Sequence, residues 1–213
     1  MTSLFLSIFL AVSIHLFSMA GVALLFGIKV NSISIGYGPK ILRLKNLTLS
    51  LLPFGGYVRM QDSRVESLDE QDHVHAFDKK SRLIRALIPF SGCFSLFIVS
   101  AFFLGNMATF EFYSGINQIT SGALHPISIG STYIANAINF ANNNAPTIVF
   151  SFVAIKLCAL NSLPLPILNG GQIIMELLEL PEKINEILFK IGAIIFLLLL
   201  TCWGVAAFSS VSQ

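Results

Sequence analysis

The chain has 213 residues, of which 54% are hydrophobic and only 11% charged, with a net charge of +2. A soluble domain carries about 25% charged residues, so this composition excludes a disordered chain, a secreted disulfide scaffold and a simple soluble globule, and it leaves a membrane protein. The small net charge and the lack of any K/R-rich run exclude nucleic acid as a partner, and Cys93, Cys158 and Cys202, all in apolar runs without pairing or metal spacing, read as small buried hydrophobes.

Residues 4–27 form the first apolar run. It has no basic n-region, exceeds the usual h-region and ends in no A-x-A-like cleavage site, so it reads as a membrane span and not as a signal peptide. At a rise of 1.5 Å per residue it crosses a hydrocarbon core of about 30 Å. Residues 28–60 do not read as helix. Ile28 and Val30, Ile33 and Ile35, then Leu47, Leu49 and Leu51 alternate with period two, which predicts strands. Gly36-Tyr37-Gly38-Pro39 and Pro53-Phe54-Gly55-Gly56 punctuate them as turns. A small β-sheet at the cytoplasmic face is expected, packed on protein or reaching water because bare strand edges are not tolerated in lipid.

Residues 61–80 are the most charged stretch and read as a solvated loop. The second span covers 83–105, interrupted by Pro89 and Gly92. Residues 106–146 are polar, rich in asparagine and free of Lys and Arg; they read as an outer loop too short for a folded domain. The third run, 147–160, is short and continues into a re-entrant or amphipathic stretch, 163–180. The fourth covers 184–208. The expected fold is a single, mostly α membrane domain over 1–213, with about four transmembrane helices, a small membrane-associated β-sheet after the first and a broken third span.

Nine basic residues lie between the first two runs, from Lys29 to Arg82. By the positive-inside rule, loop 28–82 is cytoplasmic and both termini lie outside.

Several motifs stand in a telling order: His15 in the first run, Gly27-Ile28-Lys29-Val30, Ser34-Ile35-Gly36-Tyr37-Gly38-Pro39, Leu52-Pro53-Phe54-Gly55-Gly56-Tyr57-Val58-Arg59-Met60, His75-Ala76-Phe77, His125-Pro126-Ile127-Ser128-Ile129, and Asn161-Ser162-Leu163-Pro164-Leu165-Pro166-Ile167-Leu168-Asn169-Gly170-Gly171. Together they resemble the bacterial site-2 protease family, intramembrane zinc metalloproteases that cut transmembrane segments. The resemblance covers nearly the whole chain. The best-known bacterial branch carries PDZ domains between the second and third spans, for which this chain leaves no room, so no PDZ domain is expected. Bacterial inner membrane is the implied location.

The resemblance also implies an active-site pattern, and this chain departs from it. The family's first span carries H-E-x-x-H, with two zinc-binding histidines one turn apart and a glutamate that activates water. Here the same stretch reads His15-Leu16-Phe17-Ser18-Met19. Leu16 cannot take a proton from water, and the soft thioether of Met19 suits Cu(I) better than Zn²⁺. The family's third ligand, an aspartate, is Asn169 here, a poor replacement on zinc. Unligated ionisable groups are costly inside a bilayer, so the three replacements agree with one another. No catalytic residue, metal or cofactor is expected; His15 reads as a histidine hydrogen-bonded to a neighbouring helix, and the sharper alternative, which the resemblance implies, is a vestigial ligand facing Asn169. His73, His75 and His125 share no helix face with it, so no substitute metal cluster is visible.

Lys156 lies well inside the third run, where the family often has a polar residue lining the substrate cleft. It snorkels or faces a watery groove; a sharper alternative has its ammonium filling the space left by zinc, or pairing with an acidic group on a partner. The expected binding residues of the groove and β-element are Gly55, Gly56, Tyr57, Lys156, Asn161, Pro164 and Pro166. The family's β-element receives extended substrate by strand pairing, which depends on backbone groups and needs no metal.

The leading expectation is a pseudoprotease that binds or scaffolds other integral membrane proteins, as a complex subunit or a holder of a client helix. One alternative is an active intramembrane metalloendopeptidase with non-standard zinc ligands. Another is an accessory subunit of a membrane transport complex that handles lipid.

Overall fold

The structure, a computed structural model, describes residues 2–211. Seven helices and two strands follow in chain order: α1 (Thr2–Leu25), β1 (Val30–Leu44), β2 (Leu47–Met60), α2 (Arg82–Leu104), α3 (Met107–Leu124), α4 (Ser131–Asn143), α5 (Pro146–Asn161), α6 (Asn169–Leu178) and α7 (Glu182–Val211). Three of them, α1, α2 and α7, are long and apolar enough to cross a membrane. The expected third span, α5, is a shorter apolar helix of 16 residues that starts at Pro146 and stops at Asn161. It is followed not by more span but by turns and α6, because two prolines in Leu163–Pro166 cannot continue a helix.

The bundle centre is α1, α2 and α5. Ala11, Ala154, Ile155 and Leu96 are fully buried there, and the small side chains let the backbones approach. Polar groups stitch the same helices: Ser100 on α2 donates to the Ser151 carbonyl on α5 at 3.0 Å. Such bonds between helices in a membrane contribute about 0.6 kcal/mol each.

The sheet is where it matters for the site. Val30–Ile35 of β1 pairs with Gly56–Met60 of β2, running antiparallel. The chain also folds back so that Ile33–Ile35 faces Leu47–Leu49 in the same direction, while Lys40–Leu44 pairs with Leu47–Ser50 in the opposite one. Gly36, at φ +88°, takes the left-handed conformation this fold-back needs, and a Cβ on it would lie 2.8 Å from the Leu52 carbonyl. The sequence predicts a sheet that packs on protein or reaches water, and the structure lays it along the flank of α1. Ile35, Leu47 and Leu49 pack with Val12, Leu16, Ile8 and Phe9, and the Phe54 ring reaches Phe5 at 6.3 Å. The apolar period-two face has found the helix itself as its cover, which is how non-helical backbone survives at membrane depth.

The expected outer loop, 106–146, is a second correction. It forms a helical hairpin, α3 and α4 joined by a π-helical turn at Pro126–Gly130. Ala108, Gly115 and Gly122 are buried along one face of α3. Gly115 sits against Ala159 and Lys156 of α5, and Gly122 lies beneath the Trp203 indole of α7, whose Nε1 donates to the Ile119 carbonyl at 3.3 Å. Helical spacing of small residues marks this face, whereas the asparagines of α4 dominate the composition and suggest a loop. The charged 61–80 stretch matches expectation, with short 3-10 turns at His73–His75 and Phe77–Lys79.

Candidate functional site

The four positions that define the expected active site converge. His15, Leu16 and Met19 sit on one face of α1 because i, i+1 and i+4 bracket a single helical turn, and all three are buried. Asn169 is the first residue of α6 and is also buried. Its placement is set by Gly170 and Gly171, which pack so tightly against the Ser162–Pro166 turn that a Cβ on either would overlap backbone.

Asn169 joins three elements through one atom. Its side-chain nitrogen donates to the Pro89 carbonyl at 2.8 Å, faces His15 Nε2 at 3.2 Å and meets Met19 Sδ at 3.4 Å. The other imidazole nitrogen, Nδ1, is buried and has no hydrogen-bond partner among the described residues. Gly92 of α2 lies over that edge of the ring, and a Cβ there would lie 2.6 Å from His15 Cε1 and 2.9 Å from Met19 Cγ. Nearby, Ser18 ties α1 to α2 by donating to the Ser91 carbonyl at 3.0 Å.

Leu16 and Met19 belong to the apolar core. Leu16 packs with Val12 and Ile35 and touches Gly56, where a Cβ would overlap both the leucine and the Ser34 carbonyl. Met19 packs with Ala23, Ile28, Phe77 and Ile88. The donor set offers one imidazole nitrogen, one thioether and one neutral amide, with a leucine at the base position. That set fits zinc poorly, since zinc takes imidazole, thiolate and carboxylate. Among the described residues no group of three or more His, Cys, Asp or Glu is placed to hold a metal ion.

Of the expected binding residues, Pro166 lines one hollow and Lys156 another, while Gly55, Gly56, Tyr57, Asn161 and Pro164 line neither. Met19, Pro89 and Pro166 line a cavity of about 360 Å³ beside the His15 cluster, together with Val58, Arg59 and Met60 of β2. Gly56 and Tyr57 lie on that same strand segment, which among the described residues pairs with Val30–Ile35 and so forms an edge of the sheet. Gly55, just before it, sits against the Tyr37 ring, and Tyr37 donates to the Gly56 carbonyl at 3.3 Å. Asn161 donates back to the Leu157 carbonyl of its own helix at 3.0 Å, and Pro164 is exposed.

Lys156 belongs elsewhere. Its ammonium lies 2.7 Å from the Glu111 carboxylate of α3, and it also donates to the Glu111 carbonyl at 3.0 Å and to the Ser114 hydroxyl at 3.5 Å. It lines a separate chamber of about 760 Å³. The idea that it fills the zinc position is therefore corrected: its counter-charge is Glu111 of the same chain. Sequence reading missed Glu111, although it is the sole acidic residue between Arg85 and Glu176, and an acid in a segment so poor in charge is itself a signal.

An ionic lattice at the first turn of α2 anchors α6. Arg85 donates to Glu176 at 2.6 Å and to Glu179 at 3.3 Å, and it also reaches the Lys80 carbonyl at 2.9 Å. Burial works against ionisation of Asp78, but the Ser63 hydroxyl and amide, with Lys79, outweigh it and hold the carboxyl well below the usual range.

Residues 3–199 match the family model described as Peptidase family M50. Among characterised sequences, the chain is 34% identical over 105 residues to a regulator of sigma E protease from Haemophilus influenzae, covering 47% of this chain and 24% of that protein. It is 34% identical over 96 residues to the regulator of sigma-E protease RseP of Escherichia coli (43% and 21%) and 33% identical over 100 residues to the protease RseP of Yersinia pestis (44% and 22%). The matched part thus spans under a quarter of each relative's length.

Proposed function

The chain belongs to peptidase family M50, the site-2 proteases, and from that premise we propose that it is a catalytically inactive member that holds another integral membrane protein. The observation that carries this reading is the bonding of Asn169. One N–H-bearing nitrogen is shared by His15, Met19 and Pro89. It serves the same side chains a metal would draw together, but it does so with protons. The position of a water-activating base is a leucine pressed against Gly56, so no polar group stands ready to deprotonate water.

The binding half of the family's machinery does not depend on those lost groups. The sheet edge at Gly56–Met60 and the 360 Å³ cavity beside it favour an extended segment of the partner that adds as a strand, with one side chain entering toward Met19 and Pro166. The membrane is the inner membrane of a bacterium, with both termini outside by the bias of basic residues.

The test combines metal analysis with partner capture. Protein purified in mild detergent is expected to hold substoichiometric zinc, to cleave no helical substrate and to cross-link, through a photoreactive residue at Tyr57, to an integral membrane protein. Stoichiometric zinc with chelator-sensitive cleavage overturns the reading in favour of an active endopeptidase with unusual ligands, which the family's established chemistry favours.

A further inference from the structure

The 760 Å³ chamber is distinct from the His15 cluster and its adjoining cavity. Ile8 and Val12 of α1, Phe152, Val153 and Leu157 of α5, and Phe140 of α4 supply apolar wall. The α3–α4 hairpin supplies a polar margin of Glu111, Gln118, Tyr133 and Asn136. Leu200 of α7 completes the lining, and the apolar window of α7 is only 11% buried, so this helix leaves most of its surface to whatever surrounds it.

Three features narrow the occupant. The volume lies within the range of about 300–1,000 Å³ typical of small-ligand sites, whereas a helix is about 10–12 Å across with its side chains and would seat under two turns here. The charges in the wall cancel: the Lys156 ammonium spends its donors on Glu111 and Ser114, and Gln118 donates to Ser114 at 3.0 Å. A headgroup with net charge gains no counter-charge from such a pair and loses hydration beside it. Two further polar groups of the lining, the half-buried Tyr133 hydroxyl and the exposed Asn136 amide, stand one turn apart on α4 and have donors to offer.

We propose that this chamber binds one acyl chain of a zwitterionic glycerophospholipid, with the chain against α1 and α5 and the headgroup hydrogen-bonded by Tyr133 and Asn136. The site is independent of whether the His15 cluster is active. A lipid seated there bridges α4 to the α1–α5 pair and so braces the hairpin that carries α7.

The experiment reconstitutes the full chain with phosphatidylethanolamine or phosphatidylglycerol and counts retained lipid by native mass spectrometry after detergent exchange. Phosphatidylethanolamine is expected to be retained in preference, and the double variant Tyr133→Phe with Asn136→Leu is expected to weaken retention about tenfold, the loss of one or two hydrogen bonds. Val153→Trp, which fills the chamber from its wall, is expected to abolish it. Because the tryptophan variant can fail to fold, the double variant, which leaves the apolar wall intact, decides the matter by itself. Equal retention by wild type and double variant, preference for phosphatidylglycerol, or a chamber protected by a protein helix with no lipid retained each overturns the proposal.

Discussion

Asn169 and His15, 154 residues apart in the chain, meet with 3.2 Å between the amide nitrogen and Nε2. Because an amide nitrogen only donates, Nε2 must accept, which places the imidazole proton on Nδ1. Its partner thus selects one tautomer of the imidazole. Replacing Asn169 with leucine keeps the volume and removes every donor. A loss of about 1–2 kcal/mol is expected, from about 0.6 kcal/mol per interhelical bond and the stranded imidazole. Reversible unfolding in mixed micelles measures it, and a neutral result for Asn169→Leu counts against the amide as the organiser of the site.

Leu16 predicts a second outcome. Leu16→Glu alone places a carboxylate between Val12, Ile35 and Gly56. A cost of about 3 kcal/mol is expected, with no gain of zinc as read by elemental analysis. Restoring chemistry needs Leu16→Glu, Met19→His and Asn169→Asp together, because one new ligand has no others to share an ion with. Zinc bound at one per chain by Leu16→Glu alone contradicts this.

Gly92 offers a test of space. Gly92→Ala drives a methyl group toward the His15 ring and Met19. An overpacking cost of about 1–3 kcal/mol follows, and pairing Gly92→Ala with Met19→Ala recovers part of it. Thermal unfolding of the single and double variants gives the coupling.

The Lys156–Glu111 pair is partly buried, with side-chain exposures of 29% and 13%. Removing one member strands the other, so Lys156→Met and Glu111→Gln are each expected to cost more than the double variant Lys156→Met with Glu111→Leu. The single losses fall at about 3 kcal/mol or somewhat less, given the residual solvent access. A double-mutant cycle with no coupling disproves the pairing.

Acid sensitivity has a defined sign. Asp78 titrates below its ordinary 3.8 in the folded chain. The stability it contributes is therefore complete above that ordinary value and declines as pH falls toward the folded one. Asp78→Asn is expected to flatten the dependence of stability on pH below about 4, followed by intrinsic fluorescence of Trp203 during acid titration.

Much of this was legible in the residues. The runs around His15, Pro89 and Phe196 are long and apolar enough to announce themselves, and period two marks the strands, although Gly36 and Gly55, read as turns, lie within β1 and β2 and the turn falls at Lys45-Asn46. The convergence of His15 with Asn169 was legible too, through the spacing of family motifs. Position in depth was not. Period two in Ile33–Ile35 and Leu47–Leu49 says that one face is covered but not by what, and the cover is α1. The helices of 107–143 were hidden because their buried face uses Ala108, Gly115 and Gly122, small residues that carry little hydropathy, while Asn136 and Asn139 dominate the count. Nor did Lys156 reveal its partner, since Glu111 lies on a segment read as loop.

The sheet along α1 also orders the assembly of the molecule. Helix, strands and the Leu16–Gly56 contact all lie within the first 60 residues and form a unit whose pieces need nothing made later. His15 has no such early partner. Gly92 reaches it only with α2, and Asn169 only after α5 and its proline turn. Without that amide the imidazole Nε2 has no donor facing it, and an unpartnered polar group inside a bilayer is costly. Closure over His15 thus waits for α6, and α7 with its Trp203–Ile119 bond is still to come, so a chain that ends before Asn169 lacks the amide that covers this histidine.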